Sequence, residues 1–402
     1  MKKLLFILSI AAFQFCNAQV TLVGMSHQGG FGNHGTIFCV SAAGTIETIH
    51  NFNEGLNGCT PRGGFVQDSN GNFYGLAAGC GIHNVGTLIK YNGEDHGVVK
   101  LVDFHSTIGA NPVGTLIIGT DGNLYGMTNS GGANDVGTIF KCTTGGEVTT
   151  LASFDRSKGA YPMGSLVEDK NCNLYGMTRL GGNSDKGVLF KCSSSGELTV
   201  LHSFNGNDGS GPDGNLTILN DSILYGVTPN GGNVNGGTIF LCSVSGKYTM
   251  LNSFSNSTGT LPLSNLLNGG DGYLYGTTDS GGAMNYGTLF RCSTSGRITV
   301  LANFNDSTTG ANPMGTIVKA SDGNIYGITR RGGTSDAGVV FKYTGSSGTL
   351  GMVCEFSTTY AQVAQGGIIE MKLNNDLKEL ASSKKFNKHF ANKRAAHAGM
   401  GE

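Results

Sequence analysis

Arg62, Arg179, Asp213, Arg330, His27 and Asp279 are the side chains of this 402-residue chain whose types and positions could do chemistry. Guanidinium groups offer forked donors to carboxylates and hydroxyls, and a carboxylate can pair with them or accept from a sugar. The set suits recognition of an anionic or sugar-like ligand better than catalysis. The sequence contains no His-Glu-x-x-His, nucleophile elbow or Cys-x-x-Cys, patterns whose spacing creates a metal site, an activated serine or a redox pair. Asp121, Asp271 and Asp322 resemble a repeated acid, but each lies in an Asp-Gly turn, where the side chain caps its own backbone. His27, His34 and His83 could approach one another on neighbouring loops, yet they lack metal-ligand spacing. A DxDxDG calcium loop is also absent. Neither a metal nor a cofactor is expected, and no catalytic residue is assigned.

Those six residues stand out because the chain around them repeats. A short phrase returns at intervals of 50 or 51 residues as Leu22-Val23-Gly24, Phe73-Tyr74-Gly75, Leu124-Tyr125-Gly126, Leu174-Tyr175-Gly176, Leu224-Tyr225-Gly226, Leu274-Tyr275-Gly276 and Ile325-Tyr326-Gly327. Two positions vary sharply among the copies. One, after the Tyr-Gly-x-Thr strand, reads His27, Ala78, Asn129, Arg179, Pro229, Asp279 and Arg330; the other, after a recurring proline, reads Arg62, Val113, Met163, Asp213, Leu263 and Met314. Variation on a repeated scaffold is either a ligand-shaped set or neutral drift on exposed loops.

Residues 112–154 give the pattern of one copy. Pro112 to Ile118, Leu124 to Thr128, Gly137 to Cys142 and Val148 to Phe154 form four apolar or β-branched runs, separated by Asp121-Gly122, a glycine-paired loop and Gly145-Gly146. Asp-Gly and Asn-Gly supply the positive φ of tight hairpins. A lone four-stranded sheet cannot bury both faces, so copies must stack, and seven arranged radially close into a ring. The predicted fold is an all-β, seven-bladed β-propeller spanning residues 19–371. The first copy begins at its second strand, and Gly366 to Met371 resembles the missing first strand. A C-terminal strand is therefore expected to complete the first blade. The connections between second and third strands, and between blades, are the longer ones and emerge on one face, the default binding surface.

The phrase Tyr-Gly-x-Thr-x-x-Gly-Gly-x-x-x-x-Gly-Thr-Ile/Leu-Phe-Lys with a trailing Leu-x-x-Phe resembles the GloVer-type tandem repeat of exported bacterial proteins, over nearly all of residues 20–356. The resemblance implies a repeat scaffold and names no reaction. A more distant similarity is to kelch propellers, which share the glycine pair; the kelch aromatic pairing is missing, since the chain has no tryptophan.

The cysteines divide by position. Cys142, Cys192, Cys242 and Cys292 fill one repeat position and should be inert core residues. Cys59 and Cys80 replace the equivalents of Ala110 and Gly131 within a single copy, which predicts a Cys59–Cys80 disulfide in an exported chain. Export is expected because Lys2-Lys3, an apolar run from Leu4 to Phe15 and the small residues Cys16 and Ala18 read as a signal peptide over residues 1–18. The destination would be secreted, periplasmic or cell-surface. No other stretch is long and apolar enough for a membrane helix. The net charge of -1 offers no basic stripe for nucleic acid. Residues 372–402 form a basic tail with helical spacing of Leu373, Leu377 and Leu380. The expectation is a monomeric binding or interaction module for an extracellular protein or glycan. The alternatives are a glycan-acting hydrolase or lyase with its site at the axial mouth, and a purely structural scaffold.

Overall fold

A computed structural model describes residues 20–53, 57–92, 97–357, 361 and 366–372. The expected signal peptide, and the tail apart from Lys372, lie outside the described residues. The described chain forms seven antiparallel sheets, each with four strand positions from the axis outward, making a seven-bladed β-propeller. The third blade shows the pattern: Ile117–Ile118 innermost, then Leu124–Thr128, Thr138–Cys142 and Val148–Ser153. The first blade is closed from the other end of the chain. Ile368–Glu370 pairs with Thr21–Ser26, setting Gly24 opposite Ile368 and Leu22 opposite Glu370.

The repeated phrase is explained by packing between blades. At six of the seven seams the phenylalanine that follows an outer strand meets the third-strand phenylalanine of the next blade edge to face, as in Phe104–Phe140, Phe154–Phe190 and Phe254–Phe290, all with centroids 5.1 Å apart; at the seam between the first and second blades Ile89 takes the third-strand position. Phe356 meets Phe38 in the same way, so the seam between last and first blades is packed like the others. The glycine of Tyr-Gly leaves room for that ring: a Cβ on Gly126 would lie 2.6 Å from Phe140 Cζ and 2.8 Å from Leu116 Cδ2. The tyrosine before it is buried and donates to the hairpin aspartate, as Tyr125 does to Asp121 at 2.8 Å and Tyr326 to Asp322 at 2.8 Å. Those acids also accept from turn amides, such as Asn123 N–H and Tyr273 N–H. Burial pushes the Asp121 carboxyl up, but hydrogen bonds from Lys141, Asn123 and Tyr125 outweigh it and hold the group well below the usual carboxylate range.

The innermost strands are short: in the second to sixth blades, the paired segment next to the hairpin is only two or three residues long. The cause is a crowded axis. A Cβ on Gly63, Gly114 or Gly164 would fall closer than 3.0 Å to the backbone of the corresponding glycine in the next blade, Gly114, Gly164 or Gly214. Backbone packs on backbone there, and the blades are joined by polar side chains one residue further on. Gly64 N–H donates to Thr115 Oγ1 at 2.8 Å, Thr115 N–H to Ser165 Oγ at 3.0 Å and Ser165 N–H to Asn215 Oδ1 at 2.8 Å. These amides are satisfied around the ring rather than within the sheet. Among the described residues no helix is long and apolar enough to cross a membrane.

Candidate functional site

Above that glycine ring, on the face of the longer loops, the two variable positions meet. The end of each second strand reaches the proline segment of the following blade. Asn111 Nδ2 donates to the Ala78 carbonyl at 3.2 Å, Asn129 Nδ2 approaches Met163 Sδ at 3.1 Å, and Asn312 Nδ2 donates to the Asp279 carbonyl at 2.9 Å. The sequence positions His27/Arg62, Ala78/Val113, Asn129/Met163 and Arg179/Asp213 are thus neighbours across blade seams.

A cavity of about 700 Å³ opens over the second to fourth blades. Its lining includes Arg62, Val113, Asn129, Tyr161, Met163 and Arg179. Val113 is buried and Met163 half-buried, giving an apolar floor, while Arg62 and Arg179 are exposed at its sides. Arg62 has no carboxylate within ion-pair distance among the described residues, whereas Arg179 Nε lies 3.7 Å from Asp213 Oδ1. That oxygen is buried and receives no hydrogen bond. Burial pushes the Asp213 carboxyl up from 3.8 to about 6, with Arg179 pulling the other way. His27, beside Arg62, is pushed towards its neutral form, first by burial and then by the Arg62 charge, against a hydrogen bond with the Thr60 backbone.

The other two proposed residues do not join this cavity's lining. Arg330 lies with its Nη2 3.3 Å from Asp279 Oδ1, pairing the sixth and seventh blades. Asp279 is 5% exposed; its Oδ2 accepts from Ser280 Oγ at 2.9 Å, while its Oδ1 is buried and receives no hydrogen bond. His27, His34 and His83 are not assembled as ligands: no group of three or more His, Cys, Asp or Glu that could hold a metal occurs among the described residues. His83 instead meets His105 edge to face at 5.7 Å. Cys59 and Cys80 are joined by a disulfide with Cα atoms 5.3 Å apart, next to the lining residues Thr60 and Gly79. The repeated cysteines are buried, and burial pushes the thiols of Cys142, Cys192 and Cys242 up to about 11 and that of Cys292 to about 12.

One recurring feature was not readable from residue types. The residue before each inner proline is left-handed: Thr60, Asn111, Tyr161, Gly211, Leu261 and Asn312 have φ between 52° and 59°. Each donates its N–H to a carbonyl in the loop of the preceding blade, Asn111 to Val85 at 2.7 Å and Tyr161 to Val136 at 2.9 Å. Only half of these residues are glycine or asparagine, the types that adopt this conformation readily. The strain is present in six blades, with and without the cavity, so it belongs to the seam between blades. Its effect on the site is to set the Asn111 and Tyr161 side chains into the cavity wall.

Among solved structures, the chain is similar to a candidate 6-phosphogluconolactonase of Bacteroides uniformis (13% identity, TM-score 0.55, covering 88% of this chain and 99% of that one). It is also similar to the periplasmic gluconolactonase of Pseudomonas aeruginosa (11% identity, TM-score 0.55, 87% and 100%). A third similar structure is a functionally unknown protein of Desulfotomaculum acetoxidans (13% identity, TM-score 0.54, 89% and 100%). At these identities the likeness is one of fold. No curated protein sequence matches the chain. The Gloeobacter/Verrucomicrobia repeat model matches residues 14–240 and 194–382. With the match spanning nearly the whole ring, the chain belongs to the Gloeobacter/Verrucomicrobia repeat family.

Proposed function

We propose that this propeller is an exported binding module whose long-loop face holds an anionic or sugar-like ligand between Arg62 and Arg179. The observation that carries the reading is their convergence on one cavity from the second and fourth blades, over an apolar floor of Val113 and Met163. Two forked cations with amide groups from Asn111 and Asn129 between them match a carboxylate attached to a hydroxyl-bearing ring. Tyr161 adds an aromatic wall on which a sugar face can rest. Exposed apolar side chains on loops of the same face, Phe31, Ile82, Val234 and Met284, favour contact with a larger partner around that ligand. Export rests on the leader-like residues 1–18.

The glycan-acting enzyme has less support. Glycoside hydrolysis commonly uses two carboxylates flanking one bond, and the cavity lining has no carboxylate, Asp213 standing behind Arg179. The test is a glycan array probed with the purified protein, followed by titration of acidic and neutral sugars. Binding of acidic sugars that weakens at least about tenfold in both Arg62→Ala and Arg179→Ala is expected, from the loss of a charge-assisted hydrogen bond in each. Binding indifferent to both substitutions would remove the cavity from consideration.

A further inference from the structure

We propose that the cavity takes its anion together with a proton, which Asp213 receives as Arg179 turns from it to the ligand. The inference rests on the reading of the cavity as an anion site and specifies how that site responds to its surroundings. Asp213 Oδ1 is buried without a hydrogen-bond donor, and its contact with the Arg179 Nε, at 3.7 Å, is too long for a hydrogen bond. Asp279, the other acid at the variable positions, also has a buried Oδ1 without a hydrogen bond, but its Oδ2 accepts from Ser280 Oγ and lies 3.4 Å from Asn312 Nδ2, and Arg330 stands 3.3 Å from its Oδ1. Asp213, its side chain 22% exposed, has Arg179 as its one ion-pair partner among the described residues, and Arg179 also lines the cavity.

The charged groups around Asp213 are few. Arg179 approaches from the end of the second strand of the fourth blade. At the equivalent positions on either side stand Met163 and Leu263, which carry no charge. Lys186 meets the same segment through its carbonyl, which accepts from Gly211 N–H. Its side chain is exposed. A ligand carboxylate arriving at Arg179 would place a second negative charge beside Asp213 and withdraw the cation that favours its ionised form. Both changes favour the neutral acid. By linkage, an anion whose binding raises the affinity of Asp213 for a proton must itself bind more tightly as the proton becomes available. The burial that already pushes this carboxyl up to about 6 places the response near neutral pH, where an ordinary aspartate would give none. A neutral sugar brings no charge and should bind without the proton.

The probe is glucuronate, with its methyl ester as the neutral counterpart, titrated calorimetrically into the whole protein in buffers of different ionisation enthalpy. For glucuronate, affinity should fall by up to about tenfold per pH unit above about pH 6, with uptake of up to about one proton per ligand bound. The ester should show neither effect. Asp213→Asn should abolish the proton uptake and flatten the profile at the high-affinity level. Asp213→Leu should do the same, and it is a safe second variant because Leu263 fills the equivalent position one blade on. Glucuronate binding that needs Arg179 but is equally tight from about pH 5 to about pH 8, with no proton exchanged with the buffer, overturns the proton coupling and leaves the anion site standing. Failure of glucuronate to bind at any pH overturns both.

Discussion

Replacing Cys59 with alanine and Cys80 with glycine would restore the second blade to the pattern of its neighbours and isolate what the disulfide contributes. The crosslink closes a sequence separation of 21 residues. In the chain-entropy account, a loop of that size stabilises the folded state by about 3.3 kcal/mol at room temperature. An opposing effect is local. Cys80 has φ of 60°, while the same position in other blades is occupied by Gly131, Gly181, Gly231 and Gly281, also with positive φ. A side chain in that conformation costs about 1–2 kcal/mol, which the glycine would recover. The double variant is therefore expected to lose about 2 kcal/mol, less than the parent loses when merely reduced, about 3 kcal/mol. Denaturant unfolding of oxidised parent, reduced parent and double variant, with mass-spectrometric thiol counting, reads the order directly. The expected order is oxidised parent most stable and reduced parent least. Equal stability of the oxidised and reduced parent would refute the entropic argument. A double variant weaker than the reduced parent would refute the strain argument.

Asp213→Asn should also change stability without any ligand. Because the folded form keeps a proton that the unfolded chain has already released, stability falls as pH rises from 3.8 to about 6 and stays lower above it. Removing the ionisable group should abolish that step and raise stability at neutral pH by up to about 3 kcal/mol, measured by denaturant unfolding across the pH range. At the axis, Gly114→Ala should cost about 3 kcal/mol, since the added methyl meets backbone that has no rotamer with which to yield. Gly122→Ala, at φ 77° in an open hairpin with nothing within 4 Å, should cost only the conformational strain of about 1 kcal/mol, so the difference in midpoint between the two variants isolates the contact.

The ring and its closure were legible in the sequence because they depend on residues recurring at fixed spacing. Tyr-Gly, Gly-Thr-Ile-Phe and Leu-x-x-Phe are parts of one contact, the edge-to-face pair across six of the seven seams, and a contact made that often leaves its mark in the repeat. The final strand was recognisable for the same reason: Ile368 lies opposite Gly24 and copies a pattern whose first instance is missing. The cavity was less legible. Arg62 and Arg179 are 117 positions apart and do not touch through the chain; their convergence comes from the curvature of three blades. Arg330 and Asp279, equally conspicuous as departures from the repeat, pair with each other instead. The left-handed residues before the prolines escaped notice because Thr60, Tyr161 and Leu261 are not types that advertise positive φ. Tertiary contact imposes that conformation on them.

The strand that completes the first blade also sets the order in which the molecule can become whole. Thr21 to Ser26 is made early in synthesis, yet its inner partner, Ile368 to Glu370, is among the last segments of the ring to be made. Blades two to seven can each assemble from contiguous chain as it emerges, while the first keeps a bare inner edge throughout. An unpaired edge of this kind invites pairing with any other exposed strand. Synthesis interrupted between residues 357 and 367 therefore leaves a ring whose first blade lacks its inner strand.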